Sequence, residues 1–125
     1  MSTTLTILAP PLEPRFTVSS NLGSDACSIV NVRGEFDCVL DASTSGGFIA
    51  TYHWTITAGS TDLKVDRSDG GPFTPAAECA FLAGGSQNDG KVSMTVTLRL
   101  EDRQGNLSSN ERHTVTLVTN HFCGY

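Results

Sequence analysis

Residues Lys91 to Asp102 read KVSMTVTLRLED, and within them Val92, Met94, Val96, Leu98 and Leu100 alternate with Ser93, Thr95, Thr97, Arg99 and Glu101. A period of two over ten residues fits a strand with one buried and one wet face, and no helix can satisfy it. The same alternation recurs in ATYHWTIT, where Tyr52, Trp54 and Ile56 share a face against Thr51, His53, Thr55 and Thr57. In EFDCVLD, Phe36, Cys38 and Leu40 oppose Glu35, Asp37, Val39 and Asp41, and in HTVTLVT, Val115 and Leu117 oppose Thr114, Thr116 and Val118. The connecting stretches STSGG, SDGG, AGGSQNDG and DRQGN are rich in the residues that tolerate a positive φ. The sequence holds no long helical period; PFTPAAECAFLAGG has room for one short helical turn at Pro75 to Glu78. Short two-sided strands without helices must bury their apolar faces against each other. The expectation is an all-β antiparallel sandwich of about seven strands. Its core would hold Phe36, Leu40, Tyr52, Trp54, Ile56, Met94, Val96, Leu98, Leu100, Val115 and Leu117.

A chain of 125 residues is one domain's worth. Pro10, Pro11 and Pro14 withhold backbone donors, so residues 1–13 read as a Pro-rich linker or edge segment feeding an edge strand at Phe16 to Ser20. The sandwich then occupies residues 14–125. Eight scattered cations against 13 carboxylates do not gather the positive field that a phosphate backbone requires, so nucleic acid is not expected as a partner. Apolar runs fall far short of the roughly 20 residues that span a bilayer, and no membrane span is expected.

Cys27, Cys38, Cys79 and Cys123 are an even set without the paired spacing of a zinc site, which suggests two disulfides and an oxidising compartment. The start MSTTLTILAPPLEP lacks the features of a signal peptide. The expected location is therefore secreted, on a cell surface or on a virion surface, reached after removal of a leader or by another route.

In combination, four pieces of the sequence resemble the polycystic-kidney-disease (PKD) domain family of immunoglobulin-like sandwiches. They are PRFTVSS as a first strand, VLDASTS as an Asp-Ala-Ser strand end, IATYHWTI as a Tyr-x-Trp strand, and VTLRLEDRQGNLSS as a strand and Gly turn. They cover about Pro14 to Val118. The chain departs from the family pattern at TAGST, where a Gly-Asp-Gly turn is usual, and in the longer stretch from Leu63 to Gly90 with its Cys79. The resemblance implies the sandwich and a habit of binding proteins or polysaccharides outside cells. In a sandwich of this type ECAFL would lie beside the strand carrying Cys38, while the first and last segments share an edge. The favoured pairing is then Cys38–Cys79 with Cys27–Cys123, the rival being Cys27–Cys38 in a local hairpin with Cys79–Cys123.

Asp41 and Ser43 are suited to bonding the backbone of their own turn, and Trp54 to the core. His53, His113 and His121 stand alone with no nucleophile motif, so no catalytic activity is expected. Asp66 and Asp69 in DRSDGG lack the spacing of a calcium loop, and no metal or cofactor is expected. NLS at Asn106 to Ser108 matches a glycosylation acceptor. The candidate binding face is the outward side of the sheet: Thr51, His53, Thr55 and Thr57; Ser93, Thr95, Thr97 and Arg99; Thr114 and Thr116, together a flat, uncharged, hydroxyl-rich surface. The competing site is a set of loops clustered at one end, STSGGFIA, RSDGGPF and DRQGNLSSNE. Two functions follow. The first is a non-catalytic module for protein attachment, adhesion or assembly, with self-association through an unpaired strand edge. The second is a carbohydrate-binding accessory domain of a secreted hydrolase, for which Phe48, Phe73, Phe122 and Tyr125 would supply the stacking rings.

Overall fold

A computed structural model describes residues 10–76, 79, 87–88 and 90–120. These residues form nine strands: β1 Thr17–Ser20, β2 Gly23–Ser24, β3 Ala26–Ser28, β4 Val39–Asp41, β5 Thr51–Ala58, β6 Thr61–Arg67, β7 Gln87–Asn88, β8 Lys91–Glu101 and β9 Glu111–Val118. One sheet runs β2-β1-β4 and the other β3-β9-β8-β5-β6, with β7 paired to β8. The fold is the expected all-β sandwich, and its alternating residues divide as their period requires. Trp54, Ile56, Met94, Val96, Leu98, Leu100, Val115 and Leu117 from the larger sheet meet Val18, Leu40, Phe36 and Phe16, all buried. Trp54 lies edge-on between Phe16 and Phe73, with ring centroids at 5.1 Å and 5.4 Å. Tyr52 is only half-buried, at the rim of the core, where burial and then the charge of Asp69 raise the pKa of its phenol.

Four details depart from the sequence expectation. First, β1 is not an edge strand, because the chain reverses at Asn21–Leu22 and β2 covers its free side, Ser19 facing Ser24. Second, β3 crosses to the other sheet and pairs with β9 in parallel, Cys27 facing Leu117, so the sandwich is not wholly antiparallel. The crossing occurs at Asp25, whose φ of 54° turns the backbone between sheets. Third, TDLKVDR forms a strand, β6, in addition to those the sequence reading expects. Gly59, with φ 61°, lets the two-residue connection Gly59–Ser60 reverse the chain so that Ala58 faces Thr61.

The fourth concerns the disulfides. Cys27 is bonded to Cys38, not to Cys123, and Cys38 is not bonded to Cys79. After β3 the chain turns straight back: Ile29 faces Phe36, Val30 N donates to Glu35 O, and Asp37 N to Ser28 O. That hairpin sets the two sulfurs opposite each other. The place beside β4 expected for ECAFL is taken by Phe73, which exchanges both backbone bonds with Leu40 at 2.9 Å and 3.0 Å. Cys79 is disulfide-bonded, and its amide donates to Arg33 O at the hairpin tip. Cys123 and the expected end-to-end clamp lie outside the described residues, as do Ala77 and Glu78 of the suggested helical turn.

Candidate functional site

The strand registers bring the expected face together. Thr114, Thr95 and Thr57 stand in one row and Thr97 and Thr55 in the next, while Thr116 faces Ser93, Arg99 faces His53, and Thr51 faces Glu101. The face is not uncharged, because β6 extends the same rows with Asp62, Lys64 and Asp66, and β9 adds Arg112 opposite Thr97. The alternation in TDLKVDR carried that signal. Thr57 Oγ1 donates to Asp62 Oδ1 at 2.8 Å.

His53 is held on this face from both sides, Nδ1 2.7 Å from Asp66 Oδ1 and Nε2 2.8 Å from Glu101 Oε1. Only the imidazolium has an N–H for each carboxylate. The hydrogen bond to Asp66, then that to Glu101, raises the His53 pKa above its ordinary 6.5, against a smaller opposing effect of burial. A raised native pKa means that the folded state holds the proton more tightly than the unfolded chain. The stabilisation is therefore complete below pH 6.5 and is lost as pH rises through the native value. Partial exposure limits it to about 0.5–1 kcal/mol. Urea midpoints should fall as pH is raised above neutrality in the native protein and stay flatter in His53→Gln; equal slopes would remove His53 as the cause.

The residues considered for a metal are otherwise engaged. Asp66 binds His53, and Asp69 accepts from Gly71 N at 2.9 Å. Cys27, Asp37 and Cys38 bring ligating atoms within 4.8 Å of one another, but the two sulfurs are bonded to each other. The two oxygens of Asp37 accept from Ser28 N and Oγ. Asp41 accepts from Ser43 N at 2.9 Å, which lowers its pKa and shapes the turn after β4. Within the NLS sequon, Asn106 Nδ2 donates to Asp102 and Ser108 Oγ receives Leu100 N, so both residues brace their loop.

All three candidate loops gather at one end of the sandwich. Ala42 N donates to Gly70 O at 2.9 Å, tying RSDGGPF to the start of STSGGFIA. Ala50 N donates to Glu101 O at 2.8 Å, tying its end to the start of DRQGNLSSNE. The Pro-rich stretch joins them: Glu13 exchanges two backbone bonds with Gly46, Arg15 Nε donates to Thr44 O, and Leu12 packs on the core. Gly47 permits this, since its φ is 108° and a Cβ there would lie 3.1 Å from Leu12. Between the Pro-rich stretch, STSGGFIA and the start of DRQGNLSSNE opens a cleft of about 570 Å³ lined by Pro10, Leu12, Gly47, Phe48, Ile49, Asp102, Arg103 and Gln104, with RSDGGPF outside it.

Leu12 and Ile49 make an apolar floor packed on the core, and Phe48 stands at the rim, 69% exposed. Asp102 is committed to its own loop: it accepts from the side-chain amide of Asn106, which lowers its pKa most, and from the backbone amides of Asn106 and Gln104, which lower it further. Arg103 has no ion pair among the described residues. Such a cleft can hold an apolar or aromatic side chain and present a guanidinium to a neighbouring carboxylate or carbonyl. Its lining contains no Ser, Cys, His or Lys. Of the other rings considered for stacking, Phe73 is closed off between Trp54 and the Arg67 guanidinium, which lies 4.2 Å above it. Phe122 and Tyr125 lie outside the described residues. Among those residues no helix is long and apolar enough to cross a membrane. No family model, curated protein or solved structure matches the chain.

Proposed function

We propose that this protein is a non-catalytic attachment module, PKD-like in kind, that works outside cells or on a particle surface and engages a protein partner through its loop end. The observation that carries the reading is Phe48. A large apolar ring left 69% exposed beside an apolar floor and an uncommitted arginine is the composition of an interface anchor rather than of a reaction centre. The buried Cys27–Cys38 bond is compatible with an oxidising compartment. The polysaccharide alternative asks for several coplanar rings, and the described residues offer Phe48 alone, since Phe73 is covered.

The test is to enrich ligands for the immobilised protein from a random peptide library and, in parallel, to probe a glycan array. Enriched peptides should carry an apolar or aromatic residue near an acidic one. Phe48→Ser should weaken them about 30-fold, the scale of a 2 kcal/mol anchor, and Arg103→Ala about tenfold. Both side chains are exposed, so both variants should keep the native melting temperature. Glycan hits that depend on Phe48, with no enriched peptide, would replace this reading with the polysaccharide one.

A further inference from the structure

Among the described residues β6 is the last strand of the larger sheet and is paired only on its β5 side. Because the hairpin closes at Ala58 and Thr61, the backbone groups of Thr61, Leu63, Val65 and Arg67 point at β5. Those of Asp62, Lys64 and Asp66 point out of the sheet's edge and have no backbone partner among the described residues. The strand runs for seven residues without proline. On its inner side, Leu63 and Val65 are only half-buried, packed against the core. An open edge of this length with an incompletely covered apolar side is a template for another strand.

We infer that the occupant is a second copy of the same chain, with β6 pairing antiparallel to β6 of its partner across a two-fold axis. The charges choose this occupant and its register. In antiparallel pairing, facing residues share a face, so Asp62, Lys64 and Asp66 must oppose one another. A register centred on Lys64 sets Lys64 against its own copy and Asp62 against Asp66, all like charges, and one centred on Asp62 opposes two carboxylates. Shifting by one residue centres the axis on Leu63, so that Asp62 faces Lys64 twice, Leu63 meets its own copy and Thr61 faces Val65. Lys64 has no ion pair among the described residues and gains one. The alternative centred on Val65 pairs Lys64 with Asp66, but it takes Asp66 from His53 and sets Leu63 against Arg67, whose guanidinium covers Phe73. The Leu63-centred register preserves both contacts and buries the two half-covered apolar residues. The outward carboxylates and ammonium thus discourage unlike strands while matching a copy of themselves.

Light scattering across concentrations up to about 1 mM, the weak limit suited to an edge-only interface, should show a monomer–dimer equilibrium. Lys64→Glu should weaken it at least tenfold, and the exchanged pair Asp62→Lys with Lys64→Asp should restore it. Both side chains, Asp62 and Lys64, are exposed, so the fold survives the changes. Leu63→Cys should form a reductant-sensitive dimer on mild oxidation, since facing Cβ atoms at an axial non-hydrogen-bonded pair lie about 4.5–5.5 Å apart. A monomer at every concentration overturns the inference, as does a dimer indifferent to Lys64→Glu, or one crosslinked by Val65→Cys in place of Leu63→Cys. Phe48→Ser should leave the dimer intact, which separates this edge from the loop-end site; loss of the dimer in that variant also overturns it.

Discussion

Trp54→Ala is expected to destabilise the domain by about 3–5 kcal/mol, a large part of the stability of a domain this size. The indole is 1% exposed and reaches from β5 into the opposite, three-stranded sheet, where it meets Phe16 before β1 and Phe73 beside β4. Removing it leaves a void against two rings that neighbouring strands of the three-stranded sheet hold in place, and a close-packed core collapses only partly to fill it. Its Nε1 is buried with no hydrogen-bond partner among the described residues. Trp54→Phe therefore loses volume without losing a hydrogen bond and should cost markedly less. Thermal and urea unfolding of the two variants measure this. A Trp54→Ala protein with native stability and lost binding would move the residue from the core to the binding site.

The second large effect is expected at the buried disulfide. Cys27→Ala with Cys38→Ala opens a crosslink between residues 11 apart, and the chain-entropy treatment gives about 3 kcal/mol for a loop of that size. Both cysteines are buried against the core, so the loss of sulfur packing adds to the effect. The double variant should unfold at a clearly lower urea midpoint. Peptide mapping without reductant should recover Cys27 joined to Cys38; recovery of Cys38 joined to Cys79 would contradict the hairpin geometry.

Strands β5, β8 and β9 were legible because apolar and polar residues alternate over Tyr52 to Ile56, Val92 to Leu100 and Val115 to Leu117, so that alternation assigns these side chains to the core or to solvent. The same pattern placed the threonine rows on one outward face. β6 carries the pattern too, but at the sheet margin its inner residues Leu63 and Val65 are only half covered, which weakens the contrast between its faces. The site depended on contacts distant in sequence. His53 acquires its two carboxylates from β6 and β8, Asp66 and Glu101, and Phe48 faces a cleft only because Leu12 and Arg103 are brought to it by other segments.

The sequence by itself determined the layer architecture, the identity of most of the core and the even use of cysteine, since these follow from local periodicity and composition. Tertiary structure alone decided which cysteines join, which strands lie at the edges and which loops share a cleft. A period of two says which way a side chain points but not which strand lies next to it. Cys38 faces inward under either pairing; whether it meets Cys27 or Cys79 turns on Phe73 having taken the place beside β4, a competition between segments that no single stretch of sequence records.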